Sequence, residues 1–279
     1  WWHNMGRTVL SPSEVSPLLF VQRWINNPLQ FLARHGIINS EFLDNIGGMK
    51  TMAGVLYSIG VGPGDPELLT RKAERLIRSC PILAAPGGRD STSYRIAEQA
   101  IPEIAGKPCL SLHLPMTRDP EILQESHRVA AGQVAEELKK NQDIALLTLG
   151  DPSIYSTCMY IQNQIRAMGF SYQMVAGVPS FCAAAASLGE SLTEADQPLR
   201  ILPASYPCTE PELDAPGVKV LMKSGKQFGQ VKQLLLKKGV AERTRVVQNC
   251  GLPGETIFPT LIESEDTAGY FTLLIVKES

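Results

Sequence analysis

"SIGVGPGDPELLT", residues 58–70, is the stretch whose reading decides the fold. A short apolar run enters a glycine-rich turn, and helix-forming residues follow. A dinucleotide-binding turn would read G-x-G-x-x-G and would leave backbone N–H groups free for a pyrophosphate. Here Gly60, Gly62 and Gly64 give G-x-G-x-G, and Pro63 has no N–H to offer. Asp65, Pro66 and Glu67 stand where the helix would start. Asp65 is expected to cap that helix, with Pro66 at its first position. Two carboxylates at the positive end of a helix dipole repel an approaching phosphate. No G-K-[ST] follows, so the turn is not a Walker loop either. Two readings stay open: a tight strand-to-helix joint, or a loop that packs against a neutral or cationic ligand.

The same arrangement recurs further along. "LTLGDPSIYST" (147–157) and "VAGVPSFCAAAA" (175–186) each follow a predicted strand and enter a predicted helix. In an open α/β sheet such joints lie at the carboxyl edge, where ligands bind. Asp151 can accept hydrogen bonds from hydroxyls or amines, and the alanines let backbone and ligand approach closely. One such loop is a weak signal; three in order are a strong one.

Around these loops the pattern is α/β. Strands are expected at "GVLYSIGVG", "PILAAP", "PCLSLHLPM", "DIALLTLGD" and "SYQMVAG". Helices are expected over "PELLTRKAERLIRSC", "STSYRIAEQAIPEI" as far as Pro102, "DPEILQESHRVAAGQVAEELKKN" with Asp119 as its cap, and "YIQNQIRAMG". The nearly unbroken apolar run of "DIALLTLGD" fits a strand covered on both faces. Beyond residue 178 a helix at "SFCAAAASLG", strands at "LRILPA", "VKVLMK", "TRVVQNC" and "GYFTLLIVK", and a helix at "QFGQVKQLLLKKG" suggest a second unit. The expected architecture is two consecutive α/β domains, 54–177 and 178–279, with residues 1–50 an appendage of unassigned role.

Composition narrows the class of function. The 279 residues are 44% hydrophobic and 19% charged, with a formal net charge of −2. No basic run marks a nucleic-acid partner. The six cysteines form no C-x-x-C pair and read as small buried hydrophobes. His113 and His127 have no ligand partners at metal-like spacing, so no metal site is expected. The absence of a signal peptide and of a long apolar span points to a cytoplasmic setting without membrane contact.

Taken in order, "GVGPGDPELLT" (60–70), "LGDPSIYST" (149–157), "GVPSFCAAAA" (177–186), "VLMK" (220–223) and "YFTLLIVKE" (270–278) resemble the tetrapyrrole methylase family over residues 54–279. These are two-domain methyltransferases that bind S-adenosylmethionine between their domains. "PGGRDSTSYRIAEQ" (86–99) and "LHLPMTRDPEIL" (112–123) are similar to the members that methylate C20 of precorrin-2 or cobalt-factor II in cobalamin biosynthesis. The resemblance implies that Pro63, Leu149, Gly150, Asp151, Ser153, Ile154, Ser180, Phe181, Met222, Asn249 and Thr272 line the cofactor pocket. Pro179 departs from the Thr or Ser expected there, so the hydroxyl contact is either missing or replaced by Ser180. Arg89, Arg95 and Arg118 are the candidates for the substrate's carboxylates, since guanidinium suits bidentate contact. Tyr155 and Asp119 are the candidates for orienting the ring or accepting a proton, beside the capping role already given to Asp119. Met222 and Ile154 equally suit core packing. The resemblance also implies a homodimer.

Three other readings stand beside this one. A methyltransferase acting on a macromolecule would need a basic rim. A nucleotide-dependent oxidoreductase would need a different glycine spacing. A corrinoid-binding protein without catalysis would bind tetrapyrrole and move no methyl group.

Overall fold

A computed structural model describes residues 53–117, 119–207 and 209–278, and Ala53–Ser279 form one compact unit. The expected appendage at 1–50 and the candidate Arg118 lie outside the described residues.

The first sheet has the order β3-β2-β4-β1-β5, with β1 at Val55–Gly60, β2 at Ile82–Pro86, β3 at Cys109–Leu112, β4 at Ile144–Thr148 and β5 at Ser171–Val175. All of its pairings are parallel. Helices α1 (Arg71–Ser79), α2 (Thr92–Ala100), α3 (Pro120–Lys139) and α4 (Cys158–Ala167) make the crossovers. Tyr57, Ile59, Leu83, Ala85, Ala145 and Leu147 turn to one face, where Ala73 and Ile77 of α1 and Tyr94, Ile96 and Ala97 of α2 cover them. Leu56, Ile82, Ala84, Ile144 and Leu146 turn to the other, under α3 and α4. Both faces of β4 are therefore buried, which accounts for its unbroken apolar sequence. The chain runs outward from β1 to β3 with helices on one face and returns through β4 and β5 with helices on the other. The direction reverses between β1 and β4, so their carboxyl ends flank a crevice.

The first helix differs from the sequence reading. Asp65 does cap a turn, its Oδ1 accepting from Glu67 N at 2.8 Å, but that turn is a short 3-10 segment, Pro66–Leu68. Leu69 is extended, and α1 begins afresh with Thr70 as its own cap. Burial explains the break: Leu68 joins a cluster with the second sheet, whereas Leu69 joins the core of the first. A continuous helix would not place neighbouring residues in the two cores.

Helix α5 (Ser180–Leu188) leads into a second sheet of order β6-β7-β10-β8-β9. Its strands are β6 (Leu199–Pro203), β7 (Val218–Met222), β8 (Thr244–Gln248), β9 (Thr256–Phe258) and β10 (Thr272–Val276). Only β6 and β7 pair in parallel; the other pairings are antiparallel. The short β9 is absent from the sequence reading because three residues carry too little alternation to register. A one-turn helix α6 (Thr209–Glu212) and the longer α7 (Phe228–Lys237) complete the elements. Phe228, Val231 and Leu235 of α7 cover one face of this sheet, and Phe181, Ala183 and Ala184 of α5 cover the other.

Cys80, Cys158 and Cys250 are buried as the sequence suggests, whereas Cys182 on α5 is exposed. Among the described residues no helix is long and apolar enough to cross a membrane, and no group of three or more His, Cys, Asp or Glu side chains gathers.

Candidate functional site

Strands β4, β1 and β5 are neighbours and parallel, so the three loops that follow them leave the sheet from the same edge. They meet there backbone to backbone. Gly62 N donates to Gly150 O at 3.3 Å, and Gly150 N returns a bond to Gly62 O at 2.7 Å. This small bridge ties the loop after β1 to the loop after β4. A Cβ on Gly60 would lie 2.5 Å from Gly150 O and 2.8 Å from Gly177 Cα. Only glycine lets the chains come so near.

Asp151 fixes this junction. Its Oδ1 accepts from Ser153 N at 2.8 Å and from the Ser153 hydroxyl, while its Oδ2 accepts from Gly177 N at 2.9 Å. The carboxylate thus ties the second loop to the third. Gly150 and Ser180 also approach one another, since a Cβ on Gly150 would lie 4.0 Å from Ser180 N. Pro179 precedes α5 and supplies no side-chain cap. The first N–H groups of that helix have no partner within the helix.

The second sheet contributes from across the crevice. A Cβ on Gly64 would lie 2.5 Å from Cys250 O, which places the first loop against the turn after β8. Asn249 in that turn has φ 52° and donates from Nδ2 to Gly254 O at 3.3 Å. Leu68 and Ile154, both from loops of the first sheet, share one apolar cluster with Phe181, Val220, Met222 and Cys250. Ile154 and Met222, both partly buried, therefore pack against the core of the second sheet. Thr272 is buried on β10, and its hydroxyl donates to Gly269 O at 2.9 Å. Pro63 is buried in the first loop, and Leu149 packs against the first core.

Tyr155 and Lys223 form a link between the halves that the sequence reading did not assemble. The Tyr155 hydroxyl donates to Ile201 O of β6 at 3.0 Å, and Lys223 Nζ donates to Tyr155 O at 2.7 Å. Both residues have left-handed backbones, with φ 48° and 60°. Desolvation beside the loop lowers the pKa of the Lys223 ammonium. The usable signal was a lysine placed directly after an apolar strand and before Ser-Gly.

The other candidates lie apart from this link. Arg89 donates to Tyr94 Oη at 3.0 Å and to the carbonyls of Ala105 and Lys107, each at 2.7 Å. These bonds hold its guanidinium against its own domain, while the residue stays exposed. Arg95 is exposed on α2, with Asp90 at 3.9 Å. Asp119 acts as the α3 cap, accepting from Glu121 N at 2.9 Å and Ile122 N at 3.3 Å.

A sequence profile of the Tetrapyrrole (Corrin/Porphyrin) Methylases matches residues 55–265, a span that contains every loop of this junction. The chain belongs to the tetrapyrrole methylase family. Among its relatives, the cobalt-precorrin-2 C(20)-methyltransferase of Salmonella typhimurium is 31% identical over 238 residues, covering 81% of this chain and 98% of that one. The precorrin-2 C(20)-methyltransferase of a Sinorhizobium species is 25% identical, covering 80% of this chain and 95% of that one. Among solved structures, uroporphyrin-III C-methyl transferase from Thermus thermophilus, complexed with S-adenyl homocysteine, superposes with a TM-score of 0.61 at 22% identity. That match covers 81% of this chain and 98% of the other, and it shows that this tetrapyrrole methylase shares its fold.

Proposed function

We propose that the chain transfers a methyl group from S-adenosylmethionine to the C20 meso carbon of precorrin-2 or its cobalt chelate, in cobalamin biosynthesis. The observation that carries this reading is the chemistry of the glycine junction. Val61 N and Gly62 N are already bonded to Thr148 O and Gly150 O, and Pro63 has no N–H. A pyrophosphate would find few donors in that turn. The N–H groups of Ser180 and Phe181, which have no backbone partner among the described residues, suit a carboxylate, and Asp65 and Asp151 make the surroundings acidic rather than basic. This donor set fits a zwitterionic sulfonium compound. The Salmonella and Sinorhizobium relatives supply the substrate and the ring position.

When bound, the cofactor supplies a methyl group on a positively charged sulfur. The residues of this chain have to hold two reactants in line and keep water out. Orientation alone contributes roughly 7–11 kcal/mol at best. Leu68, Ile154 and Met222 give the crevice an apolar floor, which suits a step in which charge is dispersed. The reduced macrocycle provides its own electron-rich carbon, so no protein nucleophile is required; the cofactor leaves as the neutral thioether S-adenosylhomocysteine, and the proton displaced from C20 is released. Tyr155 orients the second loop through Ile201, while Asp119 is engaged as a helix cap. We read the chain as two consecutive domains, 54–177 and 178–279, acting as a cytoplasmic homodimer on a small molecule rather than on nucleic acid.

The test is incubation of the purified chain with methyl-labelled S-adenosylmethionine and either precorrin-2 or cobalt-factor II. Label at C20 of one of them is the expected result. Transfer to neither overturns the proposal, and label at another ring position reassigns it within the family.

A further inference from the structure

Five cations of the second half pair with carboxylates among the described residues. Arg200 pairs with Glu212, Lys232 with Asp266, Lys238 with Asp214, and both Arg245 and Lys277 with Glu190. Lys223 differs. It is exposed at the end of β7 and beside the crevice. Its ammonium donates to one backbone carbonyl, that of Tyr155, and lies 5.6 Å from the centre of the Tyr155 ring. Among the described residues no carboxylate pairs with it. An ammonium has three donors, so two directions stay open. The next residue, Ser224, is buried at 2% exposure, and its hydroxyl has no hydrogen-bond partner among the described residues. The backbone holds both Lys223 and the tyrosine it touches in the left-handed region, an arrangement that surroundings must enforce.

We propose that Lys223 is a positioning residue that binds a peripheral carboxylate of the tetrapyrrole and so sets the macrocycle against the residue 149–157 loop. This rests on the tetrapyrrole reading above and adds a residue to it. Because the same ammonium grips Tyr155 O, a carboxylate docked on Lys223 is held at a fixed distance from the loop that carries Gly150 and Asp151. Of the arginines expected to do this from sequence, Arg89 is bonded to two backbone carbonyls and Arg95 is exposed on α2 near Asp90.

The experiment measures two affinities separately on the full chain. Uroporphyrin, an octacarboxylic porphyrin, is titrated by quenching of intrinsic fluorescence, and S-adenosylhomocysteine is titrated by calorimetry. Lys223→Gln should weaken porphyrin binding at least fivefold and leave S-adenosylhomocysteine within twofold of the wild type. Lys223→Arg should recover most of the porphyrin affinity. A porphyrin with its carboxylates converted to neutral amides should bind wild type and Lys223→Gln equally. Unchanged uroporphyrin binding in Lys223→Gln overturns the inference. So does a parallel loss of both affinities, the mark of a lysine that only braces the loop. Methyl transfer by the wild type is scored independently: its failure would remove the proposed activity, whereas these binding ratios would still read the role of Lys223.

Discussion

Gly60 and Gly177 are in backbone contact across the carboxyl edge of the first sheet: a Cβ on either would fall within 3 Å of the other's main chain. A Cβ on Gly177 would also overlap Gly150 O. Gly177→Ala is expected to cost at least about 2 kcal/mol, as overpacking does where the obstacle is backbone rather than a movable side chain. Gly132, inside α3, has nothing within 4 Å of its Cβ position. Gly132→Ala should stabilise by up to about 1 kcal/mol through helix propensity. Urea unfolding of the pair checks both signs.

Asp151 bonds to protein on both carboxylate oxygens, so its removal should act on stability as well as on binding. Sequence alone suggests that Asp151→Ala weakens the cofactor and spares the fold. The structure instead predicts a loss of about 1–3 kcal/mol, because Gly177 N and Ser153 N lose a charged acceptor. Thermal melts beside a titration with S-adenosylhomocysteine measure the two effects. A fall in affinity with no change in melting temperature would contradict the geometry.

Lys107 closes the end of α1. Its Nζ donates to Ile77 O at 2.9 Å, Arg78 O at 2.6 Å and Cys80 O at 2.7 Å. A cation on the last carbonyls of a helix meets the negative end of its dipole. Lys107→Met should destabilise by about 2 kcal/mol, since three carbonyls lose a charged donor at once. Chemical denaturation of the variant against the wild type provides the number.

His127 is buried on α3 and stacks on Tyr160 of α4, with ring centroids 4.6 Å apart and 7° between planes. Desolvation lowers its pKa below the ordinary histidine value. The unfolded chain therefore takes up a proton near pH 6.5 that the folded chain refuses until lower pH. Above this window the residue contributes no pH dependence. As pH falls below about 6.5, proton uptake favours the unfolded state. His127→Phe keeps the stack and removes the titration. The stability difference between wild type and His127→Phe should shift against the wild type between pH 7 and pH 5; a constant difference would show that His127 charges freely in the folded state.

The legible part of the molecule was its local chemistry. β4 announced double burial through an unbroken apolar run, and Asp119-Pro120 announced the start of α3; both stand as read. The three glycine loops were legible because each lies next to its strand, and a parallel sheet carries adjacent strand ends to one edge. What stayed hidden depends on partners distant in sequence. Leu68 and Leu69 look like one helical stripe until two separate cores claim them. The bonds that hold Arg89 reach Ala105 O and Lys107 O, 16 and 18 residues away, which no local pattern announces. Lys223 was quoted at a strand end without a role, since its relation to Tyr155 spans 68 residues of chain.

The apolar cluster that collects Leu68 and Ile154 from one half and Phe181, Val220 and Leu273 from the other has a thermodynamic corollary. Neither sheet can melt without exposing side chains that belong to its neighbour's interior. Heat or denaturant should accordingly dismantle residues 53–279 in a single cooperative transition, and a fragment cut near residue 177 would carry a sticky, half-finished surface instead of surviving as a free-standing piece.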